Sequence, residues 1–539
     1  MMARTPQFRQ LIHIFQKAQQ QNLKSEGKPL IVTKLQAQWT RRSLLKFASL
    51  ATGTAIISSG LSHAQKAWGG FTSYTQNPKI AVIGGGIAGL NTAYQLKKMG
   101  LTATVYEARN RLGGRIFSVK NAVGEGLISD LGGHFINTDH ADLLELAKEF
   151  DLTLFNRDLD ANRFPWPKTA YYFDGKNRSV EEIAEKLRPL AAQISIDANL
   201  LDENFEQFAP TFDSISVSNY LDRHADKIPE PFIRVLIENT IRTEYGVEPQ
   251  ESSALQLLFN LPTVKGNTVE ILGSSDETFA VEGGSSRITD SLAKALTGQI
   301  YTRMRLTSIM SWRNGFYLNF SNYYSVYTDY VIIAIPLTIL RTINIQVNLP
   351  QNLRQFINEV DLGSNEKLYA GFSPKVWQRE NGFVQEAWTD LGFSSAWDET
   401  QQQTQRRDGA LTFFLGGNQA RTTSFVSTKL QGRKFVHRLE KFIPGTKDAS
   451  TGRFFKTQWT LDPLTRGAYT HFKPGQLTKF AQLFYIESDN PQERQNVHVG
   501  NLVFAGEHFS GDFYGYMNGA AQTGRLAAQV VASRVRSQS

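Results

Sequence analysis

Three closely spaced glycines are the first residues in this chain that point to a chemistry. Gly84-Gly85-Gly86-Ile87-Ala88-Gly89 carries Gly84, Gly86 and Gly89 in GxGxxG spacing. Lys79–Ile83 before them reads as a short apolar strand, and Leu90–Met99 after them as a helix ending at Gly100. In that setting Gly84 permits a tight turn, Gly86 lets backbone approach a pyrophosphate, and Gly89 lets helix pack on strand. The helix N-terminus then turns its positive end toward the phosphates. Thr102–Tyr106 reads as a second, β-branched strand. Glu107 ends it, 18 residues after Gly89, where a carboxylate accepts hydrogen bonds from ribose hydroxyls. The chemistry implied is the binding of a dinucleotide.

The elements that must position this site follow from the same pattern. A βαβ unit implies a parallel sheet with a right-handed crossover. Tyr330–Pro336 reads as a further buried strand ending in a turn, and Asn501–Ala505 as a late one running into Gly506-Glu507. Residues 136–274 lack the alternation and read as mostly helical, with segments at 141–150 and 181–192. Residues 401–409 read as a polar loop. At 539 residues the chain is long enough for two domains with sizeable cores.

A second motif decides which dinucleotide is bound. Glu107-Ala108-Arg109-Asn110-Arg111-Leu112-Gly113-Gly114-Arg115 resembles the extended fingerprint of the FAD-dependent amine oxidase superfamily and its glutathione-reductase-like relatives. The likeness continues in Leu131-Gly132-Gly133-His134, Val281-Glu282-Gly283-Gly284-Ser285, Phe504-Ala505-Gly506-Glu507 and Tyr516-Met517-Asn518-Gly519-Ala520. These motifs stand in the family's order over residues 79–530. The resemblance implies an α/β fold: a Rossmann-like, glutathione-reductase-like FAD-binding domain assembled from discontinuous segments, with an inserted α+β substrate-binding domain. The expected boundaries are 78–135, 275–345 and 462–535 for the FAD domain, and 136–274 and 346–461 for the substrate domain.

The resemblance also implies roles. Arg115 meets the FAD pyrophosphate, and Gly114 and Arg109 belong to the same loop. Gly132, Gly133 and His134 run past the flavin ring. Gly283 and Gly284 bring a helix up to the cofactor, and the backbone of Leu306 lies against the adenine. Gly506 and Glu507 serve the ribityl–pyrophosphate region, and Met517 begins a helix facing the flavin carbonyls. Trp459 matches a tryptophan beside the flavin. Lys367 matches a lysine held near flavin N5 through a water. Tyr469 and Tyr516 fall where monoamine oxidases carry the two walls of an aromatic cage. Ala468 replaces a cysteine that binds flavin covalently in some relatives, so FAD is expected to be non-covalent.

The implied reaction is oxidation of a primary amine, diamine or polyamine to an imine, hydrolysed to aldehyde, with O2 reduced to H2O2. An L-amino-acid oxidase of the same superfamily is the alternative. There an arginine follows the flavin loop where this chain has Phe135, and such an enzyme needs a cation to clamp the substrate carboxylate. A desaturase or isomerase of a lipophilic substrate is a third reading, and it needs no paired tyrosines.

Composition bounds the remainder. There is no cysteine, which excludes disulfides, thiolate metal sites and cysteinyl flavin. No metal site is expected. The net charge of +8 is concentrated at one end. Residues 1–64 hold nine Lys/Arg against Glu26 alone, and the rest of the chain carries 49 of each sign. No nucleic-acid surface is implied, and no apolar run is long enough to span a membrane. Arg41-Arg42, the apolar run Phe47–Leu61 and Ser62-His63-Ala64 form the pattern of a twin-arginine signal peptide over residues 1–64. Export to the periplasm or an equivalent space is the expectation, with Gln65–Asn77 as linker.

Overall fold

A computed structural model describes residues 5–29, 31–35, 78–272, 276–488, 490 and 492–538. The chain divides into two units. One, the nucleotide unit, comprises Ser43–Ile116, Ile288–Val360 and Lys479–Ser539, described from residue 78. The other, the sheet unit, comprises Met1–Arg42, Phe117–Arg287 and Asp361–Thr478.

The nucleotide unit is built on a six-stranded sheet. Its order is Ile300–Tyr301, Ala103–Tyr106, Ile80–Ile83, Tyr330–Ile333, Leu502–Phe504, His498–Val499. Ile80–Ile83 pairs in parallel with Ala103–Tyr106 on one side and Tyr330–Ile333 on the other. Both Ile80–Ile83 and Tyr330–Ile333 are buried at every position, as a parallel strand covered on both faces demands. The helix Ile87–Lys98 packs against the C-terminal helix Met517–Gln538. Asn91 Nδ2 donates to the Ala521 carbonyl at 2.7 Å and Thr92 Oγ1 to the Gly524 carbonyl at 3.0 Å. A side chain at Gly524 would meet the Ala88 carbonyl oxygen at 2.4 Å, so the two helices cross at small residues.

The sheet unit holds a seven-stranded sheet. Its order is Ser450–Lys456, Asn365–Phe372, Gly409–Gly416, Ser395–Asp398, Glu386–Thr389, Thr169–Phe173, Lys176–Arg178. Asn365–Phe372 and Gly409–Gly416 are buried at all eight positions each, so both faces are covered. Period-2 alternation sorts the side chains. Leu368, Ala370 and Phe372 enter one apolar cluster with Leu411, Phe413 and Leu415. Tyr369 enters another with Leu131, Ala410 and Trp459. The helical reading of 136–274 appears as Ala141–Glu149, Val180–Glu203, Phe205–Asp213, Val217–Arg223 and Pro231–Tyr245.

The divide falls elsewhere than the motif order suggested. Residues 117–135, 276–287 and 462–478 were expected with the FAD domain but cluster in the sheet unit, and 346–360 fall in the nucleotide unit. For the loop at 130–132 the cause is local bonding. Side chains of the seven-stranded sheet and its flank hold the carbonyls of residues 130–132, which ties that loop to the sheet unit.

The amino terminus also departs from expectation. Residues 6–25 are a helix opened by Thr5, whose side chain accepts from Phe8 N–H, with Pro6 at the first helical position. Phe8, Leu11, Ile14, Phe15 and Ala18 form one helical face and are fully buried. This face packs on Val180–Glu203 and Pro231–Tyr245. Ile31–Leu35 then adds a parallel strand to Thr268–Leu272. Residues 5–29 and 31–35 of the expected leader are therefore part of the sheet unit. Arg41-Arg42, the apolar run and the Ser62–Ala64 exit lie outside the described residues. None of the helices among the described residues is long and apolar enough to cross a membrane.

Phe15→Ala should destabilise the sheet unit by about 3–5 kcal/mol, the usual cost of emptying a buried phenylalanine site. Thermal melting should show an early transition that Lys24→Ala, at the exposed end of the same helix, does not produce. Equal melting of the two variants would show that the helix is not docked.

Candidate functional site

The glycine turn has the geometry its spacing implied. Gly84 has φ +113°, and a side chain there would meet the Ala334 carbonyl oxygen at 2.4 Å. A side chain at Gly89 would meet the Gly84 carbonyl at 2.0 Å, so helix and turn are in contact. Gly86 caps the helix Ile87–Lys98 with no side-chain hydrogen bond, leaving the first N–H groups without a side-chain cap. Gly113 and Gly114, at φ +89° and +58°, lie across from it: Gly86 and Gly113 form a parallel bridge. The two loops thus border a lane without side chains at the positive end of a helix, which fits a pyrophosphate.

Glu107 is buried at the end of its strand. One carboxylate oxygen accepts from Gly85 N–H and the other from Arg109 N–H, each at 2.7 Å. Each oxygen keeps a lone pair for a ribose hydroxyl. Met304 N–H donates to the Glu107 carbonyl at 2.7 Å, which brings the start of the strand Leu306–Trp312 beside this acid. Arg115 Nη1 pairs with Glu507 Oε1 at 2.8 Å, and the other Glu507 oxygen accepts from Gly515 N–H at 2.6 Å. Two residues expected at the pyrophosphate from opposite ends of the sequence are therefore joined in one unit. Gly506, at φ +137°, turns the chain ahead of Glu507, and a side chain there would strike His508 at 2.4 Å. Tyr516 is buried directly before the helix that Met517 opens.

The sheet unit gathers a different set. Lys367 Nζ donates to the carbonyls of Asp130 at 2.7 Å and Gly132 at 2.9 Å. Tyr369 OH donates to the Asp130 carbonyl at 2.8 Å, and Trp459 Nε1 to the Leu131 carbonyl at 2.9 Å. Three side chains thus hold three consecutive carbonyls of the loop that carries Gly132, Gly133 and His134. The Asp130 carboxylate accepts from Ser285 N–H at 2.9 Å and from Ser118 Oγ, which in turn accepts from Ser286 N–H. A side chain at Gly284 would meet Ser118 Oγ at 2.6 Å, so the Gly283-Gly284 turn is packed onto the same anchor.

His134 lies between two acids. Its Nε2 is 3.6 Å from Asp130 Oδ2 and its Nδ1 3.6 Å from Glu399 Oε2, both beyond hydrogen-bond range. Burial, with Lys367 and Arg157 nearby, holds the imidazole well below its usual pKa, so it is neutral. Glu399 is pushed up to about 7 by burial, although Lys367 and hydrogen bonds from Asp130 N–H and Thr412 oppose the shift. Burial also lowers Lys367 and raises Asp130. Asp130, His134 and Glu399 bring atoms of metal-ligand type within 4.8 Å of one another. The cation they already face is the Lys367 ammonium.

Phe135 stacks on His134 at 4.0 Å, and the Arg157 guanidinium lies 3.9 Å over the Phe135 ring. Arg157 is buried and donates to Gln401 and to the Glu277 carbonyl, both at 3.2 Å. Its Nη2 is buried with no hydrogen-bond partner. Tyr469, half-buried, donates its hydroxyl to the Thr243 carbonyl. Tyr469 belongs to the sheet unit and Tyr516 to the nucleotide unit.

Sequence reasoning named Lys367, Trp459 and the glycine loops. It missed Asp130, Tyr369, Glu399 and Arg157. The alternation Lys367-Leu368-Tyr369 in a β-rich run was the one local signal that Tyr369 shares a face with Lys367.

Comparison with known proteins identifies the family of this chain. Residues 87–532 match the family model described as flavin containing amine oxidoreductase. A flavin-containing amine oxidase A of Sus scrofa is 24% identical over 478 residues, covering 84% of each protein. A flavin-containing amine oxidase of Oncorhynchus mykiss is 26% identical over 480 residues, covering 84% of this chain and 85% of the relative. Among solved structures, cyclohexylamine oxidase from Brevibacterium oxydans IH-35A superposes with a TM-score of 0.70 at 21% identity, over 86% of this chain and all of that one. Putrescine oxidase with bound putrescine gives 0.69 at 19%, over 85% and 99%. The chain belongs to the flavin-containing amine oxidoreductase family. It is an FAD-dependent enzyme that oxidises amines.

The raised pKa of Glu399 makes stability depend on pH. The folded protein holds a proton there that the unfolded chain releases from the ordinary carboxyl range, so this contribution is complete at low pH and is lost as pH rises toward about 7. Glu399→Gln cannot release that proton. Its melting temperature should fall less than that of the parent between about pH 4.5 and 7. Parallel curves for the two proteins would contradict the shift.

Proposed function

We propose that this enzyme binds FAD non-covalently and oxidises a primary amine, diamine or polyamine. Each turnover converts R–CH2–NH2, O2 and H2O into R–CHO, NH3 and H2O2. The observation that supports this reading is the clamp of Lys367, Tyr369 and Trp459 on the carbonyls of residues 130–132, the loop that matches the family's flavin loop.

Gly84, Gly86, Ala88, Gly89 and Gly114 would hold the pyrophosphate, with Arg115 and Glu507 beside it and Glu107 at the adenosine ribose. Leu306 would border the adenine. Bound FAD would supply the acceptor for hydride from the carbon next to the substrate nitrogen and the route by which those electrons reach O2. The protein's part is placement and protonation. A substrate ammonium has no lone pair to assist hydride departure, so the apolar surroundings must favour neutral amine by desolvation. Tyr469 and Tyr516 are read as the rings that align it, with cation–π attraction helping capture at entry. Placement of this kind supplies several kcal/mol of a barrier. Lys367 keeps a positive charge against the flavin loop, where it favours reduced flavin electrostatically.

A second reading has one observation in its favour. Arg157 over Phe135 puts a buried guanidinium beside the position where amino-acid oxidases carry an arginine, and its Nη2 is unpartnered. A bidentate clamp on an amino-acid carboxylate is the chemistry such a group offers. Peroxide release measured across amines and basic L-amino acids separates the two. Activity confined to amino acids would replace the first reading with the second.

Two outcomes test the leading reading further. Because Ala468 stands in place of a cysteine, acid precipitation should release the FAD into the supernatant. Flavin that remains with the pellet would refute non-covalent binding. Tyr469→Ala and Tyr516→Ala should each slow anaerobic flavin reduction at least tenfold with the bound-flavin spectrum retained, while the phenylalanine variants lose much less. Wild-type reduction in the alanine variants would remove the cage.

A further inference from the structure

The helix Pro6–Ser25 lies before residue 87, where the family match begins, yet its first turn reaches toward a residue read as facing substrate. Gln7 is fully buried. Its Nε2 donates to the Ser394 carbonyl at 3.2 Å, and its Oε1 accepts from the Thr243 hydroxyl. Thr5 Oγ1 donates to Glu244 at 3.0 Å, one residue further on. Thr243 lies in the last turn of the helix Pro231–Tyr245, where backbone carbonyls have no intrahelical partner. Its own carbonyl takes two side-chain donors instead: Asn365 Nδ2 at 2.8 Å and the Tyr469 hydroxyl.

Tyr469 has its backbone fixed from the other side. Gly363 N–H donates to the Tyr469 carbonyl and Ala468 N–H to the Gly363 carbonyl, both at 2.8 Å. The tyrosine is thus held at its main chain by Gly363 and at its hydroxyl by Thr243. Gly246, at φ +68°, ends the helix there, and a side chain would meet Asn365 Oδ1 at 2.1 Å, so this junction has no slack. Thr243 links the first helix to the segment that carries Tyr469: its side chain reaches Gln7 and its carbonyl reaches Tyr469.

We propose that Gln7 is a positioning residue for amine oxidation, acting through Thr243 on the Tyr469 hydroxyl. The inference rests on the reading of Tyr469 as a cage residue. The Thr243 hydroxyl also reaches the Asn239 and Thr240 carbonyls of its own helix, at 3.1 and 3.0 Å, and its bond to Gln7 is the contact that ties this last turn, with the carbonyl that receives Tyr469, to the first helix. An amide at position 7 suits this because one group accepts from Thr243 while the other donates to Ser394 across the neighbouring strand end.

The test is a double-mutant cycle read by anaerobic flavin reduction with a good amine substrate, on full-length holoenzyme. Gln7→Leu keeps the size and removes both bonds. Thr243→Val removes the hydroxyl and leaves the carbonyl, so it serves where Gln7→Leu does not fold. Each should slow reduction about threefold, and no more than Tyr469→Phe does, with the bound-flavin spectrum unchanged, and Gln7→Glu, which restores an acceptor, should recover most of the rate. In a Tyr469→Ala background, Gln7→Leu should change the rate less than twofold, because its target is gone. An equal slowing in both backgrounds, or no slowing in the parent, overturns the inference and leaves the cage standing. A wild-type rate for Tyr469→Ala alone overturns the cage and this inference together.

Discussion

A buried ammonium governs the sheet unit. Lys367 is enclosed in a protein interior where an unpaired charge costs several kcal/mol. Its positive charge is met by the carbonyls of Asp130 and Gly132 and by the nearby carboxylates of Glu399 and Asp130. Those demands determine much of what surrounds it. The flavin loop must turn its carbonyls inward. Asp130 must be held by Ser118 and Ser285, and Glu399 by the Asp130 N–H and Thr412. The neutral state of His134 follows first from burial and then from the same cation, since a second positive charge beside it in a desolvated site is unfavourable. Removing Lys367 would leave two acids facing each other without a counter-charge.

The nucleotide unit solves a different problem, which is to bring main chain close to a polyanion. Side chains are absent where the loops at Gly86 and Gly114 approach, and the helix offers N–H groups in place of lysines. Arg115, the cation read as meeting the pyrophosphate, is tied to Glu507. The pair holds a fixed direction and a reduced net charge, so binding relies on oriented dipoles and shape more than on attraction at long range.

How much of this the sequence disclosed depended on distance along the chain. The glycine turn, Glu107 and the 107–115 loop are contiguous, so their geometry follows from local rules. The carboxylates around Lys367 were invisible because the bonds that bring Lys367 to Asp130 and Asp130 to Glu399 join residues more than 230 positions apart. Trp459 and Lys367 were legible through motif likeness, but their shared hold on the carbonyls of residues 130–132 was not. The N-terminal helix is a case where a legible signal was outweighed. Phe8, Leu11, Phe15 and Ala18 stand at helical spacing in the sequence. The paired arginines and apolar run further on drew the whole segment into a leader. Only the burial of that face shows which part of the segment belongs to the fold.

The same helix imposes an order on synthesis. Gln7 bonds to Ser394, 387 residues later in the chain. At roughly 5–20 residues per second, the first helix leaves the ribosome roughly 20–80 s before that partner exists. For the first roughly 10–45 s of that interval, until Val180–Glu203 and Pro231–Tyr245 have emerged, its phenylalanine and leucine face has no native surface to cover it, and closing so long a loop is slow. A nascent chain of this design keeps that face on a holding factor, or in transient burial against whatever has already emerged, until those two helices arrive, and only later gains the bond from Gln7 to Ser394.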